Sequence, residues 1–266
     1  MKTVLILGCG WLGLPLGERL VRNGYEVIGS VRRQSQLSLL EDKGIIPLIV
    51  EVGASLSESA VRKLKSTNPE VLVIAYPLKS RTMSGTAYEK HIQWISENVN
   101  FQSLQQVVLA SSTSVYPDGM GMVDETNEYT PEGSGLIQLR YEEGLRRLFG
   151  KKLVVLRLAG LIGGDRQPGR FLAGKKELPN ALSPVNLVDR EDVLTAFQKV
   201  IDEELTNEVF NICSSEHPSR KEYYTKQAEL LALELPEFSD VQIENPKIIV
   251  NRKAKEQLGI DFGILK

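Results

Sequence analysis

Residues 4–13 read Val-Leu-Ile-Leu-Gly-Cys-Gly-Trp-Leu-Gly, and Gly17 follows four positions later. The apolar run Val4 to Leu7 has the pattern of a strand buried on both faces of a parallel sheet. Directly after it, Gly8, Gly10 and Gly13 form a GxGxxG loop that opens a helix. Leu12, Leu16 and Leu20 stack along that helix at spacing four, and Asn23-Gly24 stops it. Only this strand-to-helix setting gives such a glycine motif meaning. Gly8 permits the tight turn, Gly10 lets the backbone approach a pyrophosphate, and Gly13 with Gly17 lets the helix sit close to the sheet. The helix N-terminus offers free N–H groups and partial positive charge to phosphates, with Trp11 and Leu12 in the same loop. Pro15 lies near the first turn, where a missing N–H costs least. A dinucleotide is the implied ligand; the alternative is a glycine-rich turn that binds nothing.

The next strand says which dinucleotide. An NAD-preferring site ends its second strand with Asp or Glu, which accepts hydrogen bonds from the ribose hydroxyls. This chain reads Gly29-Ser30-Val31-Arg32-Arg33 there, with no acid. Ser30 and a guanidinium from Arg32 or Arg33 suit a 2′-phosphate through charge-assisted hydrogen bonds. The expectation is NADP(H) in preference to NAD(H), against the alternative that the arginines merely solvate a loop.

Outward from this point, short β-rich runs alternate with segments of helical period. Glu26–Ser30 reads as strand, Gln34–Glu41 as helix, and Ile45–Val50 as a strand that Pro47 pushes to a sheet edge. Ser57–Ser66 reads as helix and Val71–Ala75 as a fully buried strand. Tyr88, Ile92, Ile95 and Val99 mark a helix stripe. Val107–Ala110 is a strand, Ile137, Tyr141, Leu145 and Leu148 line a helix, and Leu153–Leu158 is a strand. The predicted fold is α/β, a doubly wound parallel Rossmann sheet with a small C-terminal substrate lobe. Residues 1–160 would form the dinucleotide-binding domain and 161–266 a reduced lobe, with about 183–212 returning to the sheet. In that stretch Val185–Val188 and Val209–Ile212 read as strands, and Val193, Leu194, Phe197, Val200 and Ile201 share a helix face. A helix over about Lys221–Leu233 and a basic tail at Asn251–Lys255 complete the lobe.

Composition removes other classes. The chain has 266 residues with 42% hydrophobic and 25% charged content, enough for a full core. Its formal charge of −2 gives no global field for nucleic acid or acidic lipid. Two cysteines and two histidines exclude a disulfide scaffold and a cysteine zinc cluster, and leave little for a metalloenzyme. Glycine interrupts the first apolar run, and Leu153–Ile162 is too short to span a bilayer, so the expected location is cytoplasmic, with no membrane and no metal.

The fifth strand runs into Ala110-Ser111-Ser112-Thr113-Ser114-Val115-Tyr116. Further on come Leu156-Arg157-Leu158 running into Gly163-Gly164, Asn186 through Val193, Phe210-Asn211-Ile212 and Ala254 through Gly259. With the glycine loop, these motifs in this order cover nearly the whole chain. The chain resembles the extended and atypical short-chain dehydrogenase/reductases, the NAD(P)-dependent epimerase/dehydratase family. The resemblance puts Ser112 on that family's active-site Ser/Thr position, and Ala75, Tyr76 and Ser111 with the cofactor-binding residues. It also implies a Tyr-x-x-x-Lys pair on the following helix, and here the chain departs. Counting back from Glu142 or Glu143 puts Ser134 or Gly135 at the tyrosine position and Gln138 or Leu139 at the lysine position. No tyrosine has a lysine four residues on. Losing a positioned general acid/base costs about 10²–10⁴-fold in rate. Ser112 can still donate to a substrate carbonyl; Tyr116, Tyr76 and Tyr141 are the candidate proton donors, with Tyr116 named beside Ser112 as catalytic. A hydroxyl-rich turn that caps its own backbone is the alternative reading of Ser111–Ser114.

Remaining candidates read as structural. Asp189 and Asp192 have capping-box spacing. Arg157 inside an apolar strand needs a carboxylate partner or a cleft. His91 and His217 read as surface residues, and Cys9 as a small filler. Arg166, Arg170, Lys175 and Lys176 would suit an anionic substrate or simply form a solvated loop. The expected partner is a small molecule, a carbonyl or nucleotide-sugar type substrate; the oligomeric state stays open. Two functions compete, an NADP(H)-dependent oxidoreductase or epimerase-like enzyme and a non-catalytic NAD(P)(H)-binding redox sensor. A hydroxyacid dehydrogenase is disfavoured by the strand-like runs near Val185 and Val209.

Overall fold

A computed structural model describes residues 1–78, 80, 82, 86–263 and 265. In chain order the elements are β1 (Thr3–Leu7), α1 (Gly13–Arg22), β2 (Glu26–Val31), α2 (Leu37–Glu41), β3 (Ile46–Ile49), α3 (Glu58–Ser66), β4 (Val71–Ile74), α4 (Ala87–Asn98) and β5 (Gln106–Ser112). They continue with β6 (Met122–Val123), α5 (Gly133–Phe149), β7 (Leu153–Leu158), β8 (Gly160–Ile162), α6 (Gly169–Leu172), β9 (Leu187–Asp189), α7 (Arg190–Asp202), β10 (Val209–Ile212), α8 (Arg220–Leu230), β11 (Ile248–Ile249) and α9 (Arg252–Leu258). The chain divides into two compact units, the first made of Met1–Ser112, Gly133–Leu156 and Leu194–Val209, the second of Thr113–Glu132, Arg157–Val193 and Phe210–Lys266.

The main sheet has seven strands in the order β10-β7-β5-β4-β1-β2-β3, and every pairing from β3 to β5 is parallel. This is the expected α/β Rossmann-like architecture. The order reverses at β1, with β2 and β3 on one side and β4 onward on the other. A crevice at the carboxyl end of strands beside such a reversal is where ligands bind in open α/β sheets. β3 is the edge, and Pro47 is accommodated there opposite Gly29.

Strand periodicity explains the core of the first unit. Leu5, Leu7, Leu72, Ile74, Val107 and Leu109 pack in one cluster with Tyr88 and Ile95 of α4 and Tyr141 and Leu145 of α5. Each such aliphatic side chain taken fully from water contributes about 1.5–3 kcal/mol. Trp94 Nε1 donates to Ala54 O at 2.8 Å, and Gln106 Nε2 donates to Val200 O and Leu205 O at 2.8 and 2.6 Å, whereas the buried Gln106 Oε1 has no hydrogen-bond partner among the described residues. The segment Gln34–Gln36, expected as the start of a helix, is a 3₁₀ turn, with α2 beginning at Leu37.

The second unit carries two small parallel sheets, β6 with β11 and β8 with β9. The Val185–Val188 run therefore supplies a strand outside the seven-stranded sheet, whereas Val209–Ile212 lies in it. The basic tail is helical over Arg252–Leu258. Helices α6 and α8 meet at Gly169, where an added Cβ would strike Gln227 O. Ile162, Val185, Leu187, Tyr223 and Leu265 form the apolar cluster of this unit. No helix among the described residues is long and apolar enough to cross a membrane.

Candidate active site

The glycine loop is fastened by backbone and one hydroxyl. Ala75 N and Tyr76 N donate to Leu7 O at 2.9 and 3.1 Å. Gly8 N donates to Ser30 Oγ at 2.8 Å, and Cys9 N donates to Ser30 O at 2.8 Å. Gly8 has φ +102°, and a Cβ there would lie 2.6 Å from Tyr76 N and 2.8 Å from Tyr76 Cα, so only glycine passes this turn. At Gly13 a Cβ would run into Gly8 O, and at Gly17 it would sit 2.6 Å from Ile45 Cδ1. Gly10 differs: a Cβ there meets nothing within 4 Å, and the residue is exposed. Protein thus closes on the loop at Gly8 and Gly13 and leaves it open at Gly10, the arrangement a backbone-bound pyrophosphate needs. Helix α1 opens at this loop with no side-chain cap on its amides and no acid in its first turn, which keeps its positive end available to an anion. Trp11 is half-buried and Leu12 buried in the same loop.

Ser30, expected to meet a 2′-phosphate, is 3% exposed and spends its oxygen on Gly8 N. Arg32 and Arg33 are both exposed, and Arg32 Nη1 lies 3.6 Å from Glu51 Oε1. Cys9 is buried, and burial pushes its thiol up to about 12, so it is an uncharged filler.

At the ends of β4 and β5 the hydroxyls face inward. Tyr76 and Tyr141 share a hydrogen bond between their phenols, and burial holds both well above the ordinary tyrosine range. Tyr76 also packs its ring 5.5 Å from His91, tilted by 50°. His91 corrects the expectation of a surface residue: it is half-buried and its buried Nδ1 has no hydrogen-bond partner. Burial lowers its pKa, against an opposite pull from Glu51. His217 is likewise half-buried, with Nδ1 donating to Val185 O at 3.1 Å, and burial lowers its pKa too. Ser111 Oγ donates to Glu142 Oε1 and accepts from Gln138 Nε2 at 3.0 Å, all three residues being buried. Of the positions counted for the absent lysine, Gln138 is the one whose side chain reaches β5. Ser112 is half-buried at the end of the strand.

The second unit holds Tyr116. It is fully buried; its Oη donates to Asn211 Oδ1 at 2.9 Å and accepts from Arg157 Nη1 at 2.8 Å. The Arg157 guanidinium lies over the rings of Tyr116 and Tyr129, 5.1 and 5.7 Å from their centroids. Burial raises the Tyr116 pKa despite the pull of Arg157. Asp189 Oδ1 accepts Glu191 N at 2.8 Å, while Asp192 Oδ2 accepts Gly263 N at 3.0 Å instead of closing a capping box.

Sequence reasoning missed Glu51, Gln138 and Glu142 as partners of site residues. A signal existed for Glu51: it lies just past β3, beside the end of β2.

No family model matches the chain. Protein YeeZ of Escherichia coli K12 is 33% identical over 264 residues, which is 98% of this chain and 96% of that protein. Among solved structures, a UDP-glucose 4-epimerase from Thermotoga maritima, crystallised with UDP-glucose, matches with a TM-score of 0.77 at 19% identity, over 99% of this chain and 94% of that one. A short-chain dehydrogenase/reductase superfamily protein from Agrobacterium tumefaciens with bound NAD matches with a TM-score of 0.77 at 16% identity, over 99% and 93%. These structural neighbours establish a shared fold.

Proposed function

The chain belongs to the family of Escherichia coli protein YeeZ, and from that premise we propose that it is an NADP(H)-dependent oxidoreductase or epimerase-like enzyme acting on a small carbonyl or nucleotide-sugar type substrate. The observation that carries this reading is the loop at Gly8–Gly13, closed by protein at Gly8 and Gly13 and open at Gly10. The neighbours crystallised with NAD and with UDP-glucose support the same classes of cofactor and substrate. The residues present suit a dinucleotide: the α1 N-terminus, free of side-chain caps, would hold the pyrophosphate, and the exposed Arg32 and Arg33 past β2 would hold a 2′-phosphate.

When bound, the nicotinamide supplies or accepts a hydride. The chain orients the coenzyme through the glycine loop, and Ser112 donates a hydrogen bond to the substrate carbonyl oxygen. Tyr76, Tyr141 and Tyr116 keep their protons, because burial raises all three pKa values. In this reading Tyr116 serves to hold Arg157 and Asn211, Ser112 keeps its proton while hydrogen-bonding the carbonyl oxygen, and the transferred proton comes from solvent. Turnover is accordingly slow, about 10²–10⁴-fold below that of an enzyme with a dedicated acid.

The test is absorbance loss of NADPH against a panel of carbonyls and nucleotide sugars. Turnover that disappears in Ser112→Ala while NADPH still binds supports the enzyme. The internal hydrogen bonds of the three phenols, Tyr76 with Tyr141 and Tyr116 with Asn211, favour a second reading, a redox sensor that binds NADPH without turning it over, and binding with no turnover across the panel would select it.

A further inference from the structure

The turn after β2 carries two guanidiniums in unequal surroundings. Arg32 is paired with Glu51 at 3.6 Å, whereas Arg33, also exposed, forms no ion pair among the described residues. The pairing follows from the sheet. Val31 lies opposite Ile49 in the β2–β3 ladder and Val50 N donates to Val31 O at 3.0 Å, so residues just past each strand run side by side. Both members of the ion pair are 57% exposed, which makes it weak and easily exchanged.

We propose that Glu51 is a specificity-determining residue: it restrains Arg32 and repels a 2′-phosphate, leaving Arg33 as the first ligand of that phosphate. The inference rests on the NADP(H) reading above. A phosphate monoester carries nearly two negative charges, and reaching Arg32 means competing with a carboxylate already beside it. Two such anions sharing one guanidinium in a water-like medium repel enough to change affinity several-fold, inside the screening length at low salt. The chain therefore carries a brake on its own preference for the phosphorylated coenzyme. His91 of α4 also faces Glu51, since its ring packs against Gly53. Its pKa is held down by burial, so at about pH 8 it is neutral and Arg32 is the counter-charge that matters.

Isothermal titration of NADPH and of NADH into the intact protein, Glu51→Gln, Arg32→Ala and Arg33→Ala, at about pH 8 and low salt, tests this. Glu51→Gln is expected to tighten NADPH by about three- to tenfold, to move NADH by less than about twofold, and to lose its gain at about 0.5 M salt. Arg33→Ala is expected to weaken NADPH more than Arg32→Ala does. If the unaltered protein prefers NADPH but Glu51→Gln leaves that affinity unchanged or weaker, the inference is overturned and the NADP(H) reading stands. If the unaltered protein binds NADH as tightly as NADPH, or binds neither, the NADP(H) reading fails and this inference falls with it.

Discussion

The end of β1 and the ends of β4 and β5 in the first unit treat their polar groups in opposite ways. At β1 the chain uses backbone amides and one serine to shape the glycine loop, and leaves the Gly10 side open and the α1 amides uncapped. At β5 and β4 the side-chain hydroxyls are consumed inside the protein, Ser111 by Glu142 and Gln138, Tyr76 by Tyr141. Binding needs donors that wait for a ligand; proton transfer needs an acid with an accessible proton and a tuned pKa. The first requirement is met at β1. At β4 and β5 most of the groups able to meet the second are fastening helix α5 to the sheet.

Breaking the open loop should have the largest effect. Gly8→Ala forces a Cβ against the Tyr76 backbone at a positive φ, and is expected to cost about 2–4 kcal/mol of stability and to abolish coenzyme binding, as read by denaturant melts and titration. Next comes the closed end. Ser111→Ala takes a donor from the buried Glu142 carboxylate and is expected to cost about 1–3 kcal/mol. Ser112→Ala should cost less stability than Ser111→Ala and remove turnover. Equal effects of the two serines on stability would erase the distinction between them. Tyr141→Phe strands the Tyr76 hydroxyl and is expected to cost about 1–2 kcal/mol with NADPH affinity unchanged.

The smallest effect is in pH dependence. His91 and His217 have folded-state pKa values below the unfolded 6.5, so the unfolded chain binds more protons as pH falls through that value. Stability is full above about pH 6.5 and declines below it, until pH passes the lowered folded values. A Tm loss of about 1–3 °C between neutral pH and about pH 5.5 is expected, reduced in His91→Phe.

Much of this was legible because local pattern and tertiary role agree. Val4–Leu7 is apolar on both faces and is buried on both, and Pro47 marks an edge because it cannot donate to a ladder. Glycine spacing pointed to the loop, although sequence could not say that, of Gly8, Gly10 and Gly13, it is Gly10 that faces open space. What escaped was pairing between segments far apart in sequence. Nothing local says that Ser30 turns inward to Gly8 while Arg32 meets Glu51, or that Tyr76 finds Tyr141. The histidines looked like surface residues because a helix or loop position carries no record of what packs over it.

The most direct measurement is titration of NADPH into the intact protein and into Gly10→Val, with thermal melts of both. A side chain at Gly10 meets no protein atom within 4 Å, so the variant should melt with the parent and yet bind NADPH at least about tenfold more weakly. Equal affinity in the two proteins, or no binding to either, would contradict a coenzyme seated on the glycine loop.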